Sequence, residues 1–466
     1  MSGLSRRSFL TASAAVIAAP SLVRAQTTSD VDVVIIGAGA AGISAARRMS
    51  AAGRRLVLLE ATGRLGGRCA TDSTIFGIPF DLGAHWIHRP DGNPPGGPPS
   101  NSGLDIYGAP RGQVVRVGPR GARDSELEGF VAALVRARRA IVDAGRGAVN
   151  DPAVRALPGD LGAWRSTIEF VLGPYTCGKD LASVSTGDLA RMPERDNDAF
   201  CRQGYGALIA KYAAGLPVQL STPVTRIAWE RNSVEVVTAK GSVRARAAIV
   251  TVSTNVLASG KIEFKPELPK RQLDAAAALS LGSYDHIALD MPRNPLGLQR
   301  DDLVFEQSSS PRTAALLANV SGTSLHIVEV GGGFGRDLSA RGRATMIEFA
   351  SDWVASLFGA GAKKAIKRSY ATRWNEEPFV LGAMSVAAPG VGADARRVLV
   401  EPIGGRIWLA GEALHETQWG TVNGAWDSGQ RAAEAALRQF GALKKPEEER
   451  PPQRSRQRRG RRGRDD

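Results

Sequence analysis

The stretch VDVVIIGAGAAGISAARRMSAAGRRLVLLEATGRLGGR, residues 31–68, decides the fold. Residues 31–36 form an apolar run of the kind buried on both faces of a parallel sheet. Gly37, Gly39 and Gly42 follow at once in the order GxGxxG. An Ala-rich segment then carries helical character to Gly53, and a second apolar run at 56–59 ends on Glu60. The pattern predicts strand, tight turn, helix and parallel strand. Each residue type has a task in such a unit: Gly37 makes the turn, Gly39 lets backbone approach a pyrophosphate, and Gly42 lets the helix pack on the strand. The helix N-terminus, around Ala41, offers unpaired N–H groups to phosphate. Glu60, eighteen residues beyond Gly42, is placed to accept hydrogen bonds from a ribose.

Four separated segments then point one way. Glu60 is followed by Ala61-Thr62-Gly63-Arg64-Leu65-Gly66-Gly67-Arg68, and further on stands Pro79-Phe80-Asp81-Leu82-Gly83-Ala84-His85-Trp86. Thr222-Pro223-Val224-Thr225-Arg226-Ile227 is the third, and the fourth runs from Ile407-Trp408-Leu409-Ala410-Gly411-Glu412 through Trp419-Gly420-Thr421-Val422-Asn423-Gly424-Ala425. In this order they resemble the flavin-containing amine oxidase family, which includes monoamine oxidases, polyamine oxidases and histone lysine demethylases. The resemblance implies an α/β fold. A discontinuous, glutathione-reductase-like Rossmann domain binding FAD would take residues 30–90, 201–275 and 391–440. An α+β substrate-binding domain would take 91–200 and 276–390.

The resemblance also implies roles. Gly66, Gly67, Arg64 and Arg68 would wrap the FAD pyrophosphate, and the two arginines can neutralise charge that a helix dipole only partly offsets. Gly83 and Ala84 would pass beside the isoalloxazine, with His85 and Trp86 on the substrate side. Val224 would meet the adenine through its backbone. Gly411 precedes Glu412, which would accept hydrogen bonds from the ribityl or pyrophosphate region. A helix starting near Thr421 and Val422 would aim its N–H groups at flavin N1/O2, favouring the negative charge that develops on reduction. Ala383 stands where some relatives carry a flavin-linking cysteine, so the FAD is expected to be non-covalent.

The charge places the ends apart from the body. Of the formal +14, residues 1–25 hold +3 and residues 444–466 hold +5, which leaves +6 for everything between. That mild excess supports no nucleic-acid role. Ser5-Arg6-Arg7-Ser8-Phe9-Leu10 resembles a twin-arginine export signal, its apolar stretch to Ala19 is too short to span a bilayer, and Val23-Arg24-Ala25 offers a cleavage point. The sequence therefore predicts passage through the twin-arginine translocase in the folded state and a mature periplasmic or otherwise extracytoplasmic protein beginning near Gln26. No other stretch approaches the roughly 20 apolar residues of a membrane span. The tail at 444–466 is rich in Pro and charge and reads as disordered. Cys69, Cys177 and Cys201 form no disulfide framework, though a Cys177–Cys201 bridge is open in an oxidising compartment. Neither they nor the five histidines have metal-ligand spacing.

Between the motifs, PDGNPPGGPPSNSG at 90–103 reads as a loop at the mouth of the site. Helical periodicity at 125–148 opens a helical subdomain running to about Phe200. Strands are expected at 224–230, 234–238 and 242–246 as a meander, with a separate buried run at 248–253. In relatives Pro-Leu-Gly follows that run; here it is Ser253-Thr254-Asn255. Further strands are expected near 286–291, 313–320, 325–330 and 365–374, with a long helix through Trp353. Gly331-Gly332-Gly333-Phe334-Gly335 lacks a following strand with a terminal acid and is read as a turn.

Oxidising an amine moves a hydride equivalent from the carbon beside nitrogen to flavin N5. Relatives commonly place a lysine near N5; the matching position, after Leu281-Gly282-Ser283-Tyr284-Asp285, is His286. Imidazole can hold a water or take a proton near neutral pH. Relatives also frame the flavin with aromatics, but those positions here are Met384 and Thr421, which leaves Trp419 and Trp374 as candidate walls. The expected function is oxidation of a small-molecule amine by FAD, with oxygen or another acceptor. A carbon–carbon desaturase of the same fold and a non-catalytic flavin-binding protein are the alternatives.

Overall fold

The computed structural model describes residues 28–88, 103–147, 151–193, 197–391 and 394–441. The export segment, the loop at 90–102 and the basic tail lie outside them.

Two sheets carry the fold. The first has eight strands, ordered Val218–Gln219, Leu56–Leu59, Thr28–Ile36, Gly241–Val250, Val234–Thr238, Val224–Trp229 and Glu263–Lys265, with Ile407–Leu409 pairing on Gly241–Val250. Its centre is parallel: Ile35 lies opposite Leu58 on one side and Ile249 on the other. Strands covered on both faces need unbroken apolar runs, and Val33, Val34, Ile35 and Leu58 are fully buried. The helix Ala40–Ala51 lies against the helix Val422–Gln439. Both approaches are at backbone contact. A Cβ on Gly42 would sit 1.8 Å from the Gly37 carbonyl oxygen, and one on Gly429 would sit 2.0 Å from that of Ala41.

The runs expected as two strands at 242–246 and 248–253 are one, Gly241–Val250. Its first half pairs antiparallel with Val234–Thr238 and its second half parallel with Ile407–Leu409, while Thr28–Ile36 flanks its whole length. A change of partner along one edge changes the burial pattern, which looks like a strand break in the sequence.

The second sheet has seven strands, ordered Arg368–Ala371, Tyr284–Asp290, Leu325–Gly331, Ala315–Leu317, Leu303–Glu306, Val114–Val117 and Arg120–Gly121. The helices Asp124–Gly145, Arg165–Phe170 and Thr186–Ala190 form the helical part, joined by a π-turn at Val171–Tyr175 that contains Pro174. Phe200, expected to close this helical run, instead lies in the strand Asp198–Cys201, because that strand is held between Ile87–His88 and Ile106–Gly108. The glycines at 331–335 are not a turn. Gly331 ends a strand and Gly332 begins the helix Gly332–Arg341, whose first N–H groups face the Asp180 carboxylate at 3.2 Å from Gly333 N. The Cys177–Cys201 bridge does not form: both thiols are free and buried, in different cores.

Two contacts join the parts of the chain that carry the two sheets. Asp188 and Arg396 form an ion pair of 2.5 Å, and Asp188 also accepts the Ala387 N–H. Asn255, at the departure from the family pattern, accepts the Leu281 N–H and donates to the Leu381 carbonyl, so the residue replacing glycine ties the helix Thr254–Ala258 to segments flanking the second sheet.

The glycine contacts define a stability test. Gly42→Ala should cost roughly 1–3 kcal/mol because the clash is with backbone that cannot repack. Gly361→Ala, in a helix with open space around it, should be neutral or stabilising by roughly 0.5–1 kcal/mol. Urea midpoints of the two variants check this; equal midpoints would contradict it.

Candidate active site

One cavity of about 1370 Å³ is lined at one end by the glycine-rich segment and at the other by the helical part of the second domain. Gly37, Gly39, Ala41, Glu60, Arg64, Gly66, Gly67, Arg68, Gly83, Ala84, His85, Trp86, Val224, Gly411, Glu412, Thr421 and Val422 all border it. Gly42 does not; it is the packing glycine beneath.

The glycine-rich end has the shape a dinucleotide needs. Gly39 and Gly66 pair backbone to backbone, and a Cβ on Gly67 would lie 3.3 Å from the Gly39 Cα. A side chain at Gly67 would crowd the Gly39 backbone. Gly39 caps the helix Ala40–Ala51 without a side-chain hydrogen bond, so the first-turn N–H groups are available to an anion. Glu60 is buried and holds the turn: Oε2 accepts the Ala38 N–H at 2.7 Å, and Oε1 accepts the Thr62 N–H and hydroxyl, both at 2.8 Å. A carboxylate offers about four acceptor positions, so one remains on Oε2 for a ribose hydroxyl. Arg64 donates to the Gly67 carbonyl at 2.6 Å and lies 5.7 Å from the Trp374 ring. These residues fit a bound dinucleotide.

Glu412 corrects the expectation. Its four acceptor positions are taken by Arg68 Nη1 at 2.7 Å, the Ser385 N–H at 3.2 Å, the Ser385 hydroxyl at 2.6 Å and the Gly420 N–H at 2.7 Å. It borders the cavity as a joint between chain segments and has no lone pair left for a ribityl hydroxyl. Arg68 Nη1 also donates to the Ala383 carbonyl at 2.6 Å. Thr421 caps the helix Val422–Gln439 by accepting the Gly424 N–H at 3.0 Å, which brings that helix's N-terminus to the cavity wall.

His286 and Trp374 also border the cavity, whereas Trp419 does not. Trp419 is fully buried in the helical core, with Arg396 5.4 Å from its ring. The expectation that it walls the site is wrong: the chain turns at Gly420, so Gly420, Thr421 and Val422 reach the cavity while Trp419 turns into the core. Trp374 is fixed at both ends, its indole N–H donating to the Leu82 carbonyl at 2.8 Å and its backbone N–H to Asp285 at 2.8 Å.

His286 is held by groups that the sequence did not single out. Its Nδ1 donates to the Asp81 carbonyl at 2.9 Å, and its Nε2 faces Glu329 Oε1 at 3.5 Å. His286 and Glu329 are directly opposed on neighbouring strands, the closest placement a sheet allows. Burial by itself lowers the imidazole pKa, but Glu329 and Asp81 outweigh it and raise the value above the ordinary 6.5. Asp81 also accepts from His85 Nδ1 at 2.9 Å and from the Tyr205 N–H at 3.0 Å. One residue thereby sets two of the cavity's histidines, His85 and His286. A signal for Glu329 was present, a lone acid inside the apolar run 325–331, but its partner lies 43 positions away. Among the described residues no group of three or more His, Cys, Asp or Glu is placed to hold a metal.

With this geometry in place, comparison with known proteins is informative. The model of the family described as flavin containing amine oxidoreductase matches residues 154–437, and that of an NAD(P)-binding Rossmann-like domain matches 35–95. Human Lysine-specific histone demethylase 2 is 25% identical over 448 residues, covering 86% of this chain and 53% of that protein. The chain thus spans about half the length of the demethylase. Polyamine oxidase 4 of Oryza sativa subsp. japonica is 25% identical over 451 residues, covering 88% of this chain and 90% of that one. Among solved structures, Cyclohexylamine Oxidase from Brevibacterium oxydans IH-35A superposes with a TM-score of 0.74 at 20% identity, covering 88% of this chain and all of that one. Wild-type Putrescine Oxidase bound to putrescine gives 0.73 at 19%, covering 88% and 99%. At these identities the structural likeness speaks for the fold.

The Glu412 joint carries a pH signature. Burial favours its neutral form, but Arg68, Ser385 and Gly420 outweigh burial and hold its pKa below the ordinary 4.5. A depressed folded value stabilises the protein above 4.5, and that contribution is lost as pH falls through the folded pKa. Glu412→Gln should remove this part of the acid-side slope. At neutral pH it should cost roughly 1–3 kcal/mol, a figure discounted because Arg68 is partly exposed and can be rehydrated. Denaturant titrations of both proteins from neutral to acid pH check the slope; parallel curves would refute it.

Proposed function

This chain belongs to the flavin-containing amine oxidoreductase family, and from that premise we propose that it oxidises the carbon–nitrogen bond of a small-molecule amine to an imine. The cofactor is FAD, held without a covalent bond. Cys69 is the cysteine that borders the cavity, and burial, with Asp81 next, pushes its thiol pKa well above the ordinary range. A neutral thiol is a poor nucleophile. When bound, FAD supplies the acceptor for the two electrons that leave the substrate.

One observation carries the reading: the same cavity that the glycine-rich segment opens also contains a buried histidine fixed at both nitrogens. The Asp81 carbonyl fixes the ring through Nδ1, so Nε2, facing Glu329, is the nitrogen at which a proton is held or released. Trp374 and Trp86 give the cavity aromatic wall area. The helix N-terminus at Val422 favours negative charge next to it. Removal from bulk water strengthens each of these electrostatic effects. The relative named as polyamine oxidase supports amine chemistry.

Anaerobic mixing of the yellow holoprotein with a panel of primary amines, polyamines and amino acids should bleach the flavin with at least one compound. No bleaching by any of them would overturn the reading. His286→Ala should slow bleaching or reoxidation by roughly 10²–10⁴-fold, the range for a positioned acid or base, while FAD content is retained. Unchanged rates would reduce His286 to packing.

We further propose export through the twin-arginine translocase to the periplasm. The support is the segment Ser5-Arg6-Arg7-Ser8-Phe9-Leu10 with the cleavage point at Ala25, and the need to fold around FAD before translocation. Among the described residues no helix is long and apolar enough to cross a membrane. Replacing Arg6 and Arg7 by Lys should retain the protein in the cytoplasmic fraction; unchanged fractionation would refute the proposal.

A further inference from the structure

His286 and Trp374 border the cavity from different parts of the chain, yet their side chains end on consecutive backbone carbonyls. The imidazole Nδ1 donates to the Asp81 carbonyl at 2.9 Å, and the indole N–H donates to the Leu82 carbonyl at 2.8 Å. At their other ends the two residues meet again at one side chain. Asp285, which precedes His286 on the strand Tyr284–Asp290, accepts the Trp374 N–H on Oδ1 at 2.8 Å. These hydrogen bonds, with the chain links 81–82 and 285–286, close a circuit through both cavity residues. Thr372 braces it: its hydroxyl donates to Asp285 Oδ1 at 2.9 Å and accepts the His286 N–H at 2.9 Å. A fully connected buried network rigidifies its members, whereas an open one leaves each free to swing. Beyond the circuit, the Trp374 carbonyl accepts from Gly382 at 3.0 Å and from Glu377 at 3.4 Å, contacts local to its own loop.

Asp285 and Thr372 are buried and do not border the cavity. Burial pushes the Asp285 carboxyl up to about 6, against the opposing hydrogen bonds from Trp374 and Thr372. Its Oδ2 has no hydrogen-bond partner, and neither has the hydroxyl of nearby Ser339. The oxygen this acid contributes to the circuit is therefore Oδ1 alone.

We propose that Asp285 is a positioning residue of the reaction: as an acceptor at Oδ1 it holds Trp374 and His286 in one fixed relation along the cavity wall. Its geometry matters and its charge does not. An amide in its place keeps the acceptor and offers a donor to the Ser339 hydroxyl; a methyl group opens the circuit. This inference goes beyond the proposed function by naming what aligns the wall, and rests on it for the reaction measured. The circuit itself is read without turnover.

The test uses the FAD-loaded full chain at one pH and has two readouts. Amide hydrogen exchange by mass spectrometry follows the peptide containing residues 372–376, where Asp285 protects the Trp374 N–H. Anaerobic mixing with benzylamine, putrescine or whichever other panel amine bleaches the wild type fastest gives the limiting rate of flavin reduction and the amine dissociation constant. Asp285→Ala should speed exchange in that peptide at least about tenfold. It should lower the limiting rate by roughly 10- to 100-fold, the cost of a small misplacement, and leave the dissociation constant within about threefold. Asp285→Asn should stay within about threefold of wild type in all three. A wild-type reduction rate in Asp285→Ala would overturn the positioning role, as would an amine affinity that falls as far as the rate. Equal impairment in Asp285→Asn and Asp285→Ala would overturn the acceptor role in favour of charge. Should Asp285→Ala hold no FAD, Thr372→Val and Thr372→Ser decide. Valine should slow reduction at least about threefold and serine should restore it; a wild-type rate in the valine variant would overturn the circuit. If no amine bleaches the wild type, the proposed function fails and exchange decides the circuit. Unchanged exchange in Asp285→Ala then overturns it, and fast exchange in Asp285→Ala that is reversed in Asp285→Asn upholds it.

Discussion

The carboxylate of Glu412 is where distant parts of the chain are fastened. Residue 68 reaches it from the glycine-rich segment, residue 385 from the second domain, and residue 420 from the loop before the last helix. Because the group is buried, each of its four donors must be present or a charge is left uncompensated. The consequence is geometric: the loop at Arg68, the bend at Ala383 and the N-terminus at Val422 cannot move independently. They form one wall of one cavity, and the cavity's shape follows from that joint.

A similar economy governs the reactive end. Asp81 uses its backbone carbonyl on His286 and its side chain on His85 and the Tyr205 N–H. The segment that borders the FAD site therefore also orients His85 and His286. Replacing the family's lysine by His286 does not leave that position unsupported. Glu329, opposite it in the sheet, supplies the negative charge that keeps the imidazole's proton in place. A lysine there would reach by length; a histidine must be positioned by its neighbours, and those neighbours are present.

The substrate side differs from the cofactor side in how it is built. Phosphate and ribose are recognised by backbone N–H groups, glycines and one acid close together in sequence. The substrate wall is assembled from a helix, a π-turn and three strands that begin far apart. Its chemistry depends on which side chains those elements happen to bring together.

That contrast explains what could be read in advance. The unit from Gly37 to Glu60 was legible because its task is local: a turn, a helix N-terminus and a terminal acid lie within one βαβ crossover. The apolar runs at 31–36 and 56–59 likewise announce a doubly covered sheet by composition alone. The single strand at 241–250, the strand around Phe200 and the helix start at Gly332 were not legible, since each is decided by which neighbour pairs with it. Sequence by itself determined the dinucleotide fold, because that follows from residue type and short spacing, while resemblance to the family supplied FAD and the candidate histidine. Only the tertiary structure decided that Trp419 is core, that Glu412 is a joint and that Glu329 faces His286, because burial and cross-strand opposition are set by contacts between residues far apart in the chain.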